Sequence, residues 1–483
     1  MDSAAAALDR LGAIAASAPV ARLAAAFEAA GAELALVGGP VRDAFLSRTA
    51  LDLDFTTDAD PDRILQIVRP IASAHWDVGR AFGTIGARIA GEKVEITTYR
   101  SDAYSTDSRK PEVRFGSTLE EDLVRRDFTV NAMALRLPAR VLVDPTGGIA
   151  DLVARRLRTP QAPEISFSDD PLRMLRAARF TAQLGFELDG DARRAMTELA
   201  GRLDIVSAER MREELARLIL APNPRPALEL LVETGIADLI LPELPALRLT
   251  VDTEHRHKDV YQHSLTVLDQ TIGLEEERKR QPDLILRVAA LLHDIGKPAT
   301  RRFEPGGTVT FHHHDAVGAK LARKRLRALR FDNDTIAGVA HLIELHQRFF
   351  GYTEGVWTDS AVRRYVRDAD GFLEELHILT RADVTTRNRR KAERLAKAYD
   401  DLEARIAVLA EQEELAAVRP DLDGEQIMAI LGVPPGPAVG IAYRHLLELR
   451  LDEGPLGQDE ATARLLSWWE SAKDALPQRR RDG

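Results

Sequence analysis

The stretch that decides the fold of this chain is Leu36 to Arg48, LVGGPVRDAFLSR, followed closely by Leu51 to Phe55, LDLDF. Leu34 to Val37 predicts a short strand that runs into a pair of glycines, after which a helix begins. The alternation in LDLDF predicts a second strand. Because side chains alternate along a strand, Asp52 and Asp54 should share one face of it. These features predict an α/β region with an acidic site near a glycine turn.

The acidic pair has the chemistry of a magnesium site. Mg²⁺ prefers hard oxygen ligands and binds through a few carboxylates together with substrate phosphates. A third carboxylate, Glu95, lies in the middle of Lys93 to Thr97, KVEIT, which predicts a further strand. Three carboxylates around two ions could activate a 3′-hydroxyl and stabilise a departing pyrophosphate. From the spacing alone, a polar strand surface without a metal stays open as the alternative.

The whole chain has 483 residues, 45% hydrophobic and 29% charged, and no cysteine. This length exceeds one compact core and predicts two to four domains. Without cysteine, any metal must be held by histidines and carboxylates, and a cytoplasmic location is expected. No apolar run reaches the ~18 residues needed to span a bilayer, so no membrane partner is expected. The net charge of −10 counts only weakly against nucleic-acid binding, because a local basic surface can coexist with acidic flanks.

Shifts in pattern divide the chain into four predicted regions. The N-terminal MDSAAAALDR has no basic segment before an apolar one and predicts a surface helix rather than a signal peptide. Residues 1–160 carry most of the strand signals, whereas the pattern from Pro171 onward is almost wholly helical. Breaks at prolines and charged stretches separate three helical regions, 161–245, 250–390 and 391–483.

Four long motifs occur in an order that resembles one family. They are LVGGPVRDAFLSR, LDLDFTTDA, RRDFTVNAMA (Arg125 to Ala134) and DDPLRMLRAARF (Asp169 to Phe180). They are similar to motifs of the class II CCA-adding tRNA nucleotidyltransferases and of their relatives, the bacterial poly(A) polymerases. The resemblance implies a polymerase-β-like catalytic head at 1–160 that needs no nucleic-acid template, and a nucleotide- and RNA-binding neck at 161–245.

The resemblance also implies roles for single residues. Asp52 and Asp54 would be the catalytic ligands of Mg²⁺, with Glu95 as the third carboxylate. The nucleotide-binding set would be Gly39, Arg42, Arg126, Asp127, Asp170, Arg173, Arg176 and Arg179. Asp127 would lie on the ribose side of the nucleotide.

The start of the last motif suggests how a base could be selected. Asp170 and Arg173 form an acceptor–donor pair able to bind the Watson–Crick edge of cytosine or adenine, so the protein itself would act as the template. Arg173, Arg176 and Arg179, spaced by three, could follow a triphosphate along one side of a helix. A salt-bridged helix start is the structural alternative.

A segment from Tyr99 to Val113, YRSDAYSTDSRKPEV, bears on which nucleotides are added. It keeps the pattern of the flexible loop in enzymes that switch from C to A, with Arg100, Tyr104, Asp107 and Arg109. Relatives that add only CC lack part of this segment. Its presence favours addition of the full CCA.

A second site is predicted between residues 263 and 383. Six residues in order resemble the metal ligands of the HD phosphohydrolase superfamily: His263, His293, Asp294, His314, His346 and Asp383. The resemblance implies a divalent metal of unknown identity at 250–390 and an activity on cyclic phosphates or 3′-phosphates of RNA ends. A retained scaffold without a substrate is the alternative. His255, His257, His312 and His313 are expected at the surface, and His341 in the core or at the surface.

The fold class that follows is multidomain, α/β plus all-α, with a nucleotidyltransferase head, a helical neck, a helical HD domain and a helical tRNA-binding tail at 391–483. The predicted function is addition of CCA, from CTP and ATP, to the 3′ end of tRNA. A poly(A) polymerase is one alternative, and an HD phosphohydrolase or RNA-binding protein with an inactive head is another. Two basic stretches, Lys320 to Arg330 and Arg387 to Lys391, are either solvated faces or RNA contacts. Protein partners are unknown.

Overall fold

The computed structural model describes residues 4–48, 52–103, 112–115, 118–249, 251–252, 258–305, 309–349, 357–386, 388–413 and 419–473. The chain forms two compact units, residues 1–245 with 328–330 and residues 246–327 with 331–483. The first unit carries the large sheet and the second is built mainly of helices. The predicted class, an α/β head followed by all-α regions, is confirmed.

The first unit is organised around a mixed sheet of seven strands in the order β3-β4-β5-β2-β1-β8-β9. Four further strands of this unit form the two small sheets β6-β7 and β10-β11. The strands of the unit are β1 (Leu34–Val37), β2 (Leu53–Thr57), β3 (Ala74–Trp76), β4 (Thr84–Ile89), β5 (Glu92–Thr98), β6 (Arg100–Ala103), β7 (Glu112–Phe115), β8 (Ala134–Leu137), β9 (Val141–Val143), β10 (Arg156–Leu157) and β11 (Glu187–Leu188). Only β2 and β5 pair in parallel within the large sheet. Its core contains Leu36, Phe55, Ile85 and Ile96, which are buried.

Twelve α-helices of the first unit lie among the described residues. They are α1 (Ala4–Ala16), α2 (Ala18–Ala29), α3 (Gly39–Phe45), α4 (Pro61–Val68), α5 (Leu119–Val124), α6 (Gly148–Ala154), α7 (Pro163–Asp169), α8 (Leu172–Leu184), α9 (Gly190–Leu199), α10 (Ala208–Ile219), α11 (Arg225–Glu233) and α12 (Ile236–Ile240). The glycine turn between β1 and α3 has a physical cause. Gly38 has a φ of 76°, a left-handed conformation that a side chain would oppose.

The predicted strand Leu34 to Val37 matches β1, but the acidic strand begins later than predicted. β2 starts at Leu53, so Asp52 lies just before the paired backbone. The ladder with β1 pairs Leu36 with Phe55 and Ala35 with Thr56. The alternation rule therefore applies to Asp54, whereas Asp52 takes its position from the turn before the strand.

The second unit contains α13 (Val260–Glu277), α14 (Leu284–Leu292), α15 (Lys297–Thr300), α16 (His314–Ala328), α17 (Asn333–Leu345), α18 (Asp359–Ala369), α19 (Leu373–Ala382), α20 (Arg389–Glu413), α21 (Gly424–Leu431), α22 (Pro437–Glu453) and α23 (Gln458–Ala472). Two short hairpins accompany them, β12 (Val251–Asp252) with β13 (Lys258–Asp259), and β14 (Arg302–Phe303) with β15 (Val309–Thr310). The last three helices share a core that includes Ile427, Leu446 and Leu465. Trp468 packs against this core and stacks on His445.

No single helix among the described residues is long and apolar enough to cross a bilayer. The pair α1 and α2 meets that test together, with a bend of 70° between them. Leu11, Leu23 and Phe27 from this pair are buried within the structure.

Candidate active site and metal centre

The carboxylates of the head meet across the parallel pair β2 and β5. The register places Asp54 directly opposite Glu95. The pKa of Asp54 is raised to about 6, and burial is the largest cause. The negative charges of Glu95 and Asp52 also raise this pKa, and together they outweigh the opposing effect of Arg126 and Lys93. Glu95 also pairs with Lys93 at 2.8 Å and is partly exposed. The site therefore holds more negative charge than its neighbouring cations balance.

This surplus of negative charge fits a divalent cation. Asp52, Asp54 and Glu95 supply hard oxygen donors, which are the ligands of Mg²⁺ in proteins. An ion bound there would supply Lewis-acid chemistry at a phosphate. The raised pKa of Asp54 is expected at a cation site, because a bound cation is what offsets the burial and the mutual repulsion of the carboxylates.

The pKa of Asp54 predicts a pH dependence of metal use. Because a protonated carboxyl binds metal poorly, the Mg²⁺ concentration for half-maximal nucleotide addition should rise as the pH falls below about 6. This Mg²⁺ concentration should rise by up to about tenfold for each pH unit of acidification, and it should be constant above pH ~7. Titrations of Mg²⁺ at several pH values between 5 and 8 measure this. Equal half-saturation at pH 5 and pH 8 would contradict it.

A cavity of about 350 Å³ opens beside β4 and β5 and is lined mainly by charged side chains. Its lining residues are Thr84, Thr97, Arg100, Arg125, Arg126, Asp127, Asp170, Leu172, Arg173, Arg176 and Arg210. Thr97 and Glu95 lie two residues apart on β5, so their side chains share one face of the strand. Six arginines and two aspartates thus surround a space beside the strand that carries Glu95. Such a cavity suits a ligand with several negative charges.

Asp122 organises the arginines of this cavity, and the sequence analysis missed it. Its carboxylate is buried and accepts hydrogen bonds from Arg125 at 2.9 Å and from Arg126 at 3.0 Å. It also accepts from Thr56 Oγ1 and from the backbone N–H of Arg100, both at 3.3 Å. Burial raises the pKa of Asp122, but Arg126 and Arg125 outweigh burial and hold that pKa below its usual range.

Replacing Asp122 with Asn should therefore weaken both the fold and nucleotide binding. Removing one partner of a buried charge pair costs about 3 kcal/mol or more, because the arginines lose their counter-charge. The lowered pKa means that this stabilisation is present at neutral pH and is lost as pH falls through the folded-state pKa. The difference in the free energy of unfolding between the wild type and Asp122→Asn should consequently become smaller at acid pH. Denaturant unfolding at pH 7 and at a pH well below the ordinary carboxyl pKa of 3.8 measures it. An equal deficit at both pH values would show that the charge is not the cause.

Asp127 connects the RRD motif to α8. Its carboxylate is buried and accepts from Arg176 at 2.8 and 2.5 Å and from Asn131 at 3.1 Å. Asn131 in turn accepts from Arg42 at 2.7 Å. Burial raises the pKa of Asp127, but Arg176 and Asn131 hold it far below its usual range. Asp127 thus orients Arg176, and the ribose contact that the resemblance implies stays a prediction.

Asp170 and Arg173 both line the cavity, but they do not pair with each other. Asp170 accepts from the N–H of Leu172 and from Arg210, each at 3.2 Å. Arg173 is buried and donates to Ser166 Oγ at 2.8 Å and to the carbonyl of Arg125 at 2.6 Å. Asp170 therefore accepts from the first backbone N–H of α8 and also lines the cavity, so the two interpretations of the helix start are compatible.

Arg179 departs from the predicted arrangement. It is buried, donates to Glu214 at 2.5 Å and to Gln183 at 2.9 Å, and does not line the cavity. The reason is helical geometry. Each step of three residues turns roughly 60° short of a full circle, so Arg173 and Arg179 point about 120° apart. Three arginines spaced by three therefore do not form one row facing the same ligand.

The loop segment is only partly described. Arg100 lies at the start of β6, and its guanidinium donates to Thr84 Oγ1 at 3.1 Å beside the cavity. Tyr104, Asp107 and Arg109 lie outside the described residues. Gly39 begins α3, close to the guanidinium of Arg42.

All six predicted ligands of the second site come together, and most lie at helix ends. His293, His346 and Asp383 directly follow α14, α17 and α19, while His314 begins α16. They form two groups with donor atoms within 4.8 Å of one another, namely His263, His293 and Asp383, and Asp294, His314 and His346.

The hydrogen bonds of three histidines prepare them to bind metal. In each, Nδ1 lies close to the backbone carbonyl three residues earlier: His293 at 2.8 Å, His314 at 2.8 Å and His346 at 2.6 Å. A proton on Nδ1 leaves the lone pair on Nε2, which is the atom that faces the centre. Nε2 of His314 is buried 3.3 Å from Asp294 Oδ1, and no neighbour lies in hydrogen-bond geometry to it. The centre thus fits a divalent ion in both its donor chemistry and its unsatisfied atom.

The charges of the centre lead to the same conclusion. Burial lowers the pKa of His346 to about 4, which keeps its imidazole neutral. Burial also lowers the pKa of His293, but the carboxylates of Asp294 and Asp383 raise it to about 10. A buried imidazole that holds a proton so strongly is compensating two buried carboxylates. A divalent cation could replace that proton.

Two further residues support this centre and were not singled out from the sequence. Lys297 is buried and pairs with Asp294 at 2.9 Å, three residues away on the same turn. Gly296 allows α16 to approach, since a Cβ there would lie 2.0 Å from the carbonyl oxygen of His314. The spacing in HDIGK was the available signal for both. His312 and His313 are exposed as predicted, His341 is half-buried, and His255 and His257 lie outside the described residues.

Comparison with known families and proteins follows the same division of the chain. Residues 34–158 match the poly A polymerase head domain, residues 185–247 the probable RNA and SrmB-binding site of polymerase A, and residues 260–388 the HD domain.

The similar proteins share nearly the full length of the chain. The A-adding tRNA nucleotidyltransferase of Deinococcus radiodurans is 35% identical over 90% of this chain and 95% of its own length. The CC-adding tRNA nucleotidyltransferase of Thermus thermophilus is 33% identical over 91% and 94%. The crystal structure of the Bacillus stearothermophilus CCA-adding enzyme in complex with CTP is 25% identical, has a TM-score of 0.65 and covers 94% of this chain and 98% of that one. The chain therefore belongs to the tRNA nucleotidyltransferase family and carries an HD domain.

Proposed function

We propose that this protein adds C, C and A, taken from CTP and ATP, to the 3′ end of tRNA and releases pyrophosphate. The observation that carries the proposal is the cavity lined by Asp170, Arg173 and Arg126, of which Arg126 lies near enough to Asp54 to lower its pKa. It combines groups able to bind a base, groups able to bind a triphosphate and groups able to bind Mg²⁺. A cytoplasmic location, where tRNA and nucleoside triphosphates occur, belongs to the same proposal.

In this proposal, the residues in and beside the cavity have separate tasks. Asp52, Asp54 and Glu95 would hold Mg²⁺ where the 3′-hydroxyl meets the α-phosphate. Arg126, held by Asp122, lies near Asp54 and would offset charge on the triphosphate. Asp170 would accept from the amino group of either base, while the guanidinium of Arg173 offers donors to the ring acceptors. To bind a base, Asp170 and Arg173 would also have to give up some of the hydrogen bonds that they make in this structure.

The similar proteins make the extent of addition the main question. One is A-adding, one is CC-adding and one is CCA-adding. The loop pattern from Tyr99 to Val113 supports the full CCA. None of the three is a poly(A) polymerase, and these comparisons do not favour that alternative.

Single-nucleotide analysis of products tests the proposal. The enzyme is given Mg²⁺, CTP and ATP with three tRNAs that end before the first C, the second C and the terminal A. Addition of C, C and A followed by a stop is expected. Addition of C alone, or of A only to the tRNA that already ends in CC, would make the protein a partial CCA enzyme. Long A tails without use of CTP would make it a poly(A) polymerase.

Asp170→Ala should change the choice of base before it abolishes catalysis. The variant loses the acceptor for an exocyclic amino group, and one such interaction is worth about 1–3 kcal/mol, or roughly 5- to 150-fold in discrimination. We expect misincorporation of UTP to rise within this range. Glu164→Ala is a suitable control, because that residue lies on α7 outside the cavity lining. Wild-type discrimination in Asp170→Ala would contradict the assignment of Asp170 to the base.

A second activity is proposed for the HD centre, the hydrolysis of phosphoesters with a divalent metal. Five of its side chains are joined by short contacts, including 2.9 Å between His263 and Asp383 and 3.3 Å between His293 and Asp294. Lys297 adds a cation beside Asp294 that could offset phosphate charge. Release of phosphate from a 3′-phosphate, or opening of a 2′,3′-cyclic phosphate, in the presence of Ni²⁺, Mn²⁺ or Mg²⁺ tests this. No turnover with any of these ions would leave the centre a scaffold.

A further inference from the structure

An exposed hairpin lies in the segment that connects two ligands of the HD centre. It is formed by β14 and β15, which pair Arg302 with Thr310 and Phe303 with Val309. Phe303 is 71% exposed, an unusual state for a phenyl ring. The guanidinium of Arg301 lies over this ring, 4.8 Å from its centre. The hairpin thus presents an aromatic face with a cation beside it.

Both ends of the hairpin are anchored at the metal centre. On one side, Lys297 is bound to Asp294 and precedes Arg301 by four residues. On the other side, β15 ends four residues before the ligand His314. The hairpin therefore lies between two segments that carry residues of the centre. Glu304 is the acidic residue beside Phe303, and it accepts a hydrogen bond from Thr310 Oγ1 at 3.1 Å across the hairpin.

The helix that follows carries a row of positive charge away from the centre. α16 begins at His314, and Lys320, Lys324 and Arg327 are exposed along it at spacings of four and three residues, which keeps them on one side. Neither carboxylates nor other ion-pair partners contact these three cations within the described part of the chain. With a rise of about 1.5 Å per residue, the row extends from about 9 Å to about 20 Å beyond the ligand His314.

This combination is the one that binds single-stranded nucleic acid. Aromatic faces stack bases without regard to their identity, and cations along a surface follow the phosphates. We propose that the hairpin residues Arg301, Arg302 and Phe303, together with Lys320, Lys324 and Arg327, bind single-stranded RNA and present its 3′ end to the HD centre. The delivery part rests on the hydrolase activity proposed above, whereas RNA binding by this surface does not.

Photocrosslinking tests the binding directly. A ten-nucleotide RNA with 4-thiouridine near its 3′ end, closed by a 2′,3′-cyclic phosphate, is crosslinked to the full-length protein, and the attached peptide is identified by mass spectrometry. We expect the peptide that contains Phe303. Phe303→Ala should lower the yield at this peptide roughly tenfold. Val408→Ala, an exposed apolar residue on α20, is the matched control and should leave it unchanged. Crosslinks elsewhere only, or a normal yield in Phe303→Ala with a normal melting curve, would overturn the proposal.

The basic row has a test of its own. The triple variant Lys320→Ala, Lys324→Ala and Arg327→Ala should reduce the slope of log affinity against log salt by about 2, because each phosphate contact on a single strand contributes about 0.7. An unchanged slope would remove α16 from the surface and restore the interpretation of a solvated helix face.

A hydrolysis assay distinguishes delivery of RNA to the HD centre from the hydrolase activity on which delivery depends. Phe303→Ala should slow opening of the cyclic phosphate on the RNA and leave 2′,3′-cyclic AMP hydrolysis as in the wild type. Equal slowing on both substrates would assign Phe303 to the centre itself and overturn delivery. If the wild type hydrolyses neither substrate, the hydrolase proposal and delivery both fail, while the crosslink still decides RNA binding.

Discussion

Asp54→Asn should lower the rate of nucleotide addition at least ~10³-fold, because loss of a ligand of a catalytic ion removes several kcal/mol of transition-state stabilisation. The same variant should be as stable as the wild type, or more so, when melted at pH 7 with EDTA. Burial and the charges of Glu95 and Asp52 raise the pKa of Asp54 to about 6. A raised carboxyl pKa means that the folded state disfavours the ionised form above that pH, and Asn removes this penalty.

The measurement pairs single-turnover kinetics on truncated tRNA with a melting curve. Asp62→Asn is the matched control, since Asp62 is exposed and pairs with exposed Arg80. It should match the wild type in rate and stability. Normal addition by Asp54→Asn would end the assignment of a metal to β2. Lost activity with lost stability would indicate instead that Asp54 serves the fold.

His293→Ala should abolish metal-dependent phosphohydrolase activity and remove at least one equivalent of bound metal from the purified protein. His293 is fully buried and contributes Nε2 next to His263, Asp294 and Asp383. Nucleotide addition should stay within about twofold of the wild type, because none of these residues lines the cavity of the head.

Metal analysis and both activities are measured on the same preparation. His312→Ala, an exposed histidine two residues before a ligand, controls for histidine removal near the centre. His263→Ala, at the less buried ligand, is the second variant should His293→Ala fail to fold. Full metal content in both ligand variants would refute the centre. Loss of nucleotide addition in a folded ligand variant would mean that the two sites are coupled.

The parts of the fold that depend on local pattern could be predicted from the sequence. The strand Leu34–Val37 and the glycine turn follow from an apolar run ending in two glycines. The six HD ligands could be assigned because the motif places them in order along helices, and the structure brings them together. Asp52 was placed on the strand because alternation continues through it, yet backbone pairing begins one residue later.

What could not be predicted are contacts between distant segments. Nothing in LEEDLV distinguishes buried Asp122 from its exposed acidic neighbours Glu120 and Glu121, since burial there depends on β2, β6 and the arginines that follow. The pairing of Arg179 with Glu214 likewise depends on how α10 packs on α8. The close approach of Nδ1 of His293 and His346 to a backbone carbonyl follows from local backbone geometry that the sequence does not display.

The bonds of Asp122 set limits on how the head can diverge. One carboxylate is shared by Thr56 on β2, by Arg126 and by the backbone of Arg100, where β6 begins. A change in backbone length at that point would therefore alter the counter-charge of Arg126, which lines the cavity. A change in any one partner of Asp122 thus acts on the strand that carries Asp54 and on the arginines of the cavity together, so these two parts of the head would have to vary in concert.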